Sequence, residues 1–240
     1  MKLNISLSAE LFFQQGLRLN KAEEYIAAIA VLDKALSCQP DYTAAWTERA
    51  IALGNLNRHY EALISIDQAL YLQPNNCGIW HNRGIALGKL GEYEAAIKSF
   101  DQAIKLNPKI STFWHNRGIT LINSGCYDQA VTSFDHALEL QPQNPWAWYN
   151  RGTALLQLGC YEKALNNFDQ AIEFLPDFFL AWYDRGMALS SWGDYDKAVA
   201  SFNRAIEINP DYKQAYYSLA IALQKLGREA EAITSFNKVI

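Results

Sequence analysis

Five tryptophans, Trp46, Trp80, Trp114, Trp148 and Trp182, stand 34 residues apart. Phe12 and Tyr216 extend the series by one step at each end. Pro40, Pro74, Pro108, Pro142, Pro176 and Pro210 form a second series with the same step. Two glycine series keep it as well: Gly16, Gly84, Gly118, Gly152, Gly186, and Gly91, Gly125, Gly159, Gly193, Gly227. Four series in register without an insertion are copies of one unit, and a period of this size marks stacked repeats rather than a single globular core. With place 1 at Ala9, the repeats begin at Ala9, Thr43, Cys77, Ser111, Pro145, Phe179 and Lys213. The chain of 240 residues then reads as a lead over residues 1–8 and a single array over 9–240, with a partial seventh repeat over 213–240.

Within a repeat the pattern predicts two helices. In the third, Trp80, Arg83, Gly84, Leu87 and Leu90 follow a period of 3.6 residues. Gly91 ends that helix, because glycine accepts the left-handed backbone of a helix C-terminus. Tyr93, Ala96, Ile97, Phe100, Ala103 and Ile104 form the second apolar stripe, and Pro108 stops it. Gly84, Ala96 and Ala103 let helix axes approach, while Trp80 and Phe100 fill the space beside them. One such hairpin cannot bury its own stripe, so neighbours must stack.

Trp80, Gly84, Tyr93, Ala96, Phe100, Ala103 and Pro108 resemble the tetratricopeptide repeat pattern, and the resemblance runs from Ala9 to Ile240. The Asn-Arg-Gly style looks like that of cyanobacterial-type members. The resemblance implies an all-α fold, a right-handed superhelix of antiparallel helix pairs. First helices would line a concave groove that binds protein or peptide partners. The first repeat diverges most, with Ala22-Glu23 where the others turn on Leu-Gly or its like.

Place 7, usually leucine in that family, holds Arg49, Arg83, Arg117, Arg151 and Arg185. Place 25 holds Asp33, Asp67, Asp101, Asp135 and Asp169. Arginine occupies repeats two to six and aspartate repeats one to five. Where arginine gives way to Leu219, the aspartate of the preceding repeat gives way to Asn203. This joint loss predicts salt bridges between adjacent repeats, each aspartate meeting the arginine sixteen residues on. Arginine's planar fork suits a carboxylate in a partly buried seam, and the gain is register more than stability.

Place 6 runs Gln14, Glu48, Asn82, Asn116, Asn150, Asp184, Ser218. By the family architecture it faces the groove. An asparagine amide donates and accepts, so a row of three can hold an extended peptide backbone without reading its sequence. The row is similar to the asparagine ladder of the O-linked N-acetylglucosamine transferase. The alternative is that these amides only solvate a helix face. Place 5 brings His81, His115, Tyr149 and Tyr183, aromatic rings with polar edges that would pack ligand side chains. Glu48 and Asp184 set acids at the two ends of the row. At place 12, Gly54 and Gly88 leave room in the early repeats, where Ile122 and Leu156 close it later. The lysine and asparagine of the family's carboxylate-clamp members are absent from places 5 and 9.

Other classes of function are disfavoured. A net charge of −4 with a pI near 5.6 gives no basic surface for nucleic acid. No apolar run approaches a membrane span of about 20 residues, and the N-terminus lacks a signal-like apolar region, so a cytoplasmic location is expected. Cys38, Cys77, Cys126 and Cys160 lack metal-ligand spacing and read as reduced thiols. Cys126 and Cys160, like His81 and His115, are a repeat apart, too far for a disulfide or a shared metal. No nucleophile motif or phosphate loop is present, so neither an enzyme nor a cofactor is expected. Trp146, Phe178, Phe179 and Trp192 read as packing aromatics near junctions and turns. The last helix ends at Val239-Ile240 without a polar cap. That leaves two further readings open: a recognition module of a larger enzyme or complex, and a homo-oligomer through the uncapped C-terminal helix.

Overall fold

The computed structural model describes residues 2–239. Among them are fourteen helices and no strand. The chain divides into two compact units, residues 1–124 and 125–240. The first holds α1 (Lys2–Lys21), α2 (Tyr25–Cys38), α3 (Thr43–Asn55), α4 (His59–Leu72), α5 (Cys77–Lys89), α6 (Tyr93–Leu106) and α7 (Ser111–Asn123). The second holds α8 (Tyr127–Leu140), α9 (Pro145–Gln157), α10 (Tyr161–Phe174), α11 (Phe179–Trp192), α12 (Tyr195–Ile208), α13 (Lys213–Lys225) and α14 (Glu229–Phe236). Each unit is a stack of helix hairpins in which every helix packs on its neighbours in sequence. The boundary falls in the turn inside the fourth repeat, not between repeats. Residues 2–8 are the first turns of α1 and continuous with the first repeat.

The hairpin turn follows from backbone bonding at the end of each first helix. In repeat three, Gly91 N–H donates to the Gly88 carbonyl and Glu92 N–H to that of Leu87, which closes the helix and turns the chain. Gly91 takes φ +80 to allow it. Repeats one and two make the same closing bond, from Glu24 to Leu19 and from Arg58 to Leu53. Their turn residues are Glu23 and Asn57, held left-handed at φ 61 and 58. Asparagine tolerates that region; glutamate pays for it.

Rings on glycines set the distance between the helices of a pair. A Cβ on Gly84 would lie 2.6 Å from the Phe100 ring, and one on Gly186 would lie 2.5 Å from Phe202. Gly152 and Phe168 meet in the same way. Phe100, Phe168 and Phe202 are wholly buried, and so are the alanines one turn to either side, such as Ala96, Ala103, Ala198 and Ala205. Dense packing of this kind is intolerant of an added methyl.

The tryptophan and proline series are one device. The indoles of Trp46, Trp80, Trp114, Trp148 and Trp182 donate to the carbonyls of Pro40, Pro74, Pro108, Pro142 and Pro176, at 2.7–3.0 Å. Each indole thereby ties a first helix to the loop that leads into it.

Candidate functional site

The place-7 arginines sit in the seams between repeats. Arg49 meets Asp33 at 2.6 Å, Arg83 meets Asp67 at 3.0 Å, and Arg117 meets Asp101 at 2.7 Å. In the second unit Arg151 meets Asp135 and Arg185 meets Asp169, both at 2.7 Å. Each pair therefore joins adjacent repeats. The arginine side chains are 18–29% exposed and the aspartates 42–55%. The carboxylates keep much of their hydration, so the attraction is screened and the geometry acts mainly as a register mark.

The same arginines also grip their own repeat. Nη1 of Arg49, Arg83 and Arg185 donates to the buried hydroxyls of Ser65, Ser99 and Ser201, again sixteen residues on. Their guanidinium groups stand 5.8–5.9 Å from the rings of Trp46, Trp80 and Trp182, within cation–π range. In repeat five the serine is replaced by Asn167, which accepts from Arg151 Nη1. Arg151 then reaches Asp135 through Nη2 rather than Nε, and its Nε is buried without a partner. Sequence reasoning found the aspartates and missed the serines, although Ser65, Ser99, Ser133, Ser201 and Ser235 form an equally regular series.

On the first unit's first helices, Glu48, His81, Asn82, His115 and Asn116 are all half-buried. Glu48, His81 and Asn116 are engaged within the protein. Asn20 of α1 donates its amide to the Glu48 carboxylate at 2.9 Å and to the Glu48 carbonyl. The Asn116 amide nitrogen lies 2.8 Å from His81 Nε2. An amide nitrogen only donates, so that ring nitrogen accepts and the imidazole is neutral. Burial lowers the pKa of both His81 and His115, which favours the same neutral form.

The second unit presents Tyr149, Asn150, Tyr183 and Asp184 on α9 and α11, also half-buried. Asp184 hydrogen-bonds with Tyr149 and Thr153, yet burial still pushes its carboxyl up to about 6. Burial and the nearby Asp184 raise Tyr149 in turn. Around them lies an aromatic cluster. Phe178 packs on Trp146 at 4.4 Å and on Tyr149 at 4.9 Å; Tyr212 meets both Tyr183 and Phe179 at 5.1 Å. The Tyr183 hydroxyl lies 3.3 Å from that of Ser218. Trp146 and Phe178 therefore pack around Tyr149, and Phe179 on Tyr212, while Trp192 is 56% exposed.

Family models described as tetratricopeptide repeat match residues 43–76, 79–110, 99–132, 145–178, 179–212 and 201–234, and one described as TPR repeat matches 120–159. The chain belongs to the tetratricopeptide repeat family. Its folds among solved structures agree. A tetratricopeptide repeat protein from Parabacteroides merdae ATCC 43184 is 21% identical with a TM-score of 0.78, over 97% of this chain and 92% of that one. MamA from Desulfovibrio magneticus RS-1 is 24% identical with a TM-score of 0.65, over 68% of this chain and 92% of that one. YrrB, described as a TPR protein with an unusual peptide-binding site, is 23% identical with a TM-score of 0.61, over 73% and 90%. These likenesses carry the fold. A search of curated proteins found no match. No helix among the described residues is long and apolar enough to cross a membrane.

Proposed function

We propose that this tetratricopeptide chain is a non-enzymatic scaffold that binds an extended segment of a protein partner along its first helices. The observation that carries the reading is the set of half-buried amides beside imidazole and aromatic rings on the first helices of each unit: Asn82 and Asn116 beside His81 and His115 in the first, and Asn150 beside Tyr149, with Tyr183 on α11, in the second. Amides can pair with peptide N–H and C=O groups whatever the side chains, while the rings supply apolar contact. One of the two Asn116 amide N–H groups is taken by His81, which leaves the carbonyl oxygen and the second N–H for a ligand backbone. Tethering by Asn20 and by Tyr149 with Thr153 holds the Glu48 and Asp184 carboxylates in fixed positions, which lowers the ordering cost of binding.

The test starts by panning a random peptide library on the immobilised chain. The recovered peptide is then titrated by fluorescence anisotropy against wild type and N82A/N116A/N150A. The triple variant is expected to bind at least about tenfold more weakly, each lost hydrogen bond contributing roughly 0.5–1.5 kcal/mol, with unchanged helicity by circular dichroism. Equal affinity would overturn the role of the amides. Recovery of no peptide would overturn the peptide reading.

A further inference from the structure

Repeats three to six share four residues: glycine at place 8, glycine at place 15, tyrosine at place 17 and phenylalanine at place 24. Repeat two departs at all four, with Ala50, Asn57, His59 and Ile66. The four departures converge. All of them line one cavity of about 440 Å³ in the first unit, between α3, α4 and α5. Its volume lies within the range of ligand pockets, about 300–1,000 Å³. The cause is subtraction. Phenylalanine and tyrosine have given way to the smaller isoleucine and histidine, and a single methyl at Ala50 is returned. Gly54 opens the mouth: a Cβ built there meets nothing within 4 Å.

The cavity has an apolar floor and a polar rim of one character. Ala50, Ala62, Ile66 and Ala86 at the floor are no more than 5% exposed. Ile51 and Ile85 stand at the mouth, each 39% exposed. The rim adds the amides of Asn55, Asn57 and Asn82, the imidazole of His59 and the ammonium of Lys89. No carboxylate lines it. Lys89 and His59 have no ion-pair partner among the described residues. An apolar socket edged by amides and an unmatched cation is complementary to a bulky apolar side chain that carries a carboxylate beside it on a peptide backbone.

We propose that this cavity is a side-chain socket for a protein partner, taking a phenylalanine or leucine whose neighbour is acidic. The partner's side chain supplies the apolar volume that Phe100 supplies in repeat three, and Lys89 meets the adjacent carboxylate. The proposal rests on the peptide-binding reading above, since Asn82 belongs to both, and it names the residue pair that would set specificity.

The experiment uses the whole chain with isoleucine δ1-methyl labelling and NMR titration of short probes. Acetyl-Phe-Asp-amide is expected to shift the Ile51, Ile66 and Ile85 methyls, while acetyl-Gly-Asp-amide and acetyl-Phe-Lys-amide leave them in place. Two variants fill the socket in different ways. Gly54→Ile copies Ile122, the residue at the same place in repeat four, and A50G/I66F restores the glycine–phenylalanine contact of repeat three. Either is expected to weaken acetyl-Phe-Asp-amide by about tenfold or more, the effect of losing a buried apolar side chain. Unmoved methyls in wild type, equal shifts with the lysine probe, or undiminished binding to the folded filled variants would each overturn the socket. Failure of the amide row is separable from this. If N116A/N150A, which spares the socket, leaves the panned peptide bound while Gly54→Ile weakens acetyl-Phe-Asp-amide, the socket stands and the row does not.

Discussion

In the second unit, Phe168 and Phe202 rest on Gly152 and Gly186, and every first helix turns on a glycine. In the first unit only repeat three does this. Leu32 stands over Gly16, Ile66 stands near Ala50, and Glu23 and Asn57 hold the left-handed turns. The second unit carries its irregularity on its first helices, where Asp184 is held among Tyr149, Thr153 and the aromatic cluster. One repeat rule is thus relaxed in the interior of one unit and on the surface of the other. Interior relaxation removes volume and leaves a cavity. Surface relaxation adds volume and leaves a carboxylate short of water. The two outcomes have different signatures in stability and in pH dependence.

The largest difference is expected from the second-helix core residue itself. Phe168→Ala removes a ring with 0% exposure that contacts a helix with no room to collapse, and should cost about 3–5 kcal/mol. Ile66→Ala deletes a smaller group beside space that already exists, and about 2 kcal/mol is expected, the low end for such changes. Urea denaturation followed by circular dichroism measures both. Equal costs would mean that the cavity near Ile66 does not loosen the first unit.

The second prediction turns on Asp184. Its carboxyl is pushed up to about 6 from an ordinary 3.8, so the native state prefers the protonated form. Stability from this group is therefore full below pH 3.8 and is lost as pH rises through 6, by an amount on the order of 3 kcal/mol. Asp194 and Glu231, whose pKa values are lowered by Lys197 and Arg228, act in the opposite sense and lose stability in acid. The informative quantity is the difference between wild type and Asp184→Asn. The variant should be the more stable partner at pH 7.5, and the gap should close toward pH 4. A constant gap would show that Asp184 is ionised throughout the range.

The period made most of the fold legible before any coordinates, because one unit repeated seven times averages out local ambiguity. The Arg–Asp seams were legible for a special reason: the arginine and the aspartate are lost together, at Leu219 and Asn203, which fixes the partner and the direction. The indole–proline bonds had a signal of equal strength, two series six residues apart, but nothing varies between copies to reveal what touches what. The bond from Asn116 to His81 spans 35 residues and depends on how far one first helix is rotated against the next, an angle the sequence pattern does not carry. The tethering of Glu48 by Asn20 was hidden for the same reason. The cavity between α3, α4 and α5 was written in the sequence as four departures in one repeat, yet their convergence on one space needs the hairpin geometry.

A smaller contrast lies in the turns. Glu23 sits at φ 61 where the second unit uses glycine, as in Gly159 at φ 72. A left-handed backbone costs a non-glycine residue roughly 1–2 kcal/mol, and glycine gives back part of that through the entropy of the unfolded chain. Glu23→Gly should therefore stabilise the protein by about 0.5–1 kcal/mol, raising its urea midpoint. A loss of stability would mean that the glutamate side chain makes a compensating contact.

The smallest effect is expected where the two units agree. Asp67 and Asp169 are 55% and 52% exposed in equivalent seams, so each aspartate-to-asparagine change should cost less than about 1 kcal/mol, and the same in both units. Added salt should shrink the cost further. The chain supplies its own control, because Asn203 and Leu219 already occupy these two places in the last seam. The double variant R185L/D169N copies that pair. It should come within about 0.5 kcal/mol of wild type, whereas Arg185→Leu alone should cost more, because it strands Asp169 without its cation. A double variant as costly as the sum of its parts would show that the pair carries no coupling. The guanidinium contacts to Ser201 and Trp182 would then hold the arginine in the seam without help from the aspartate.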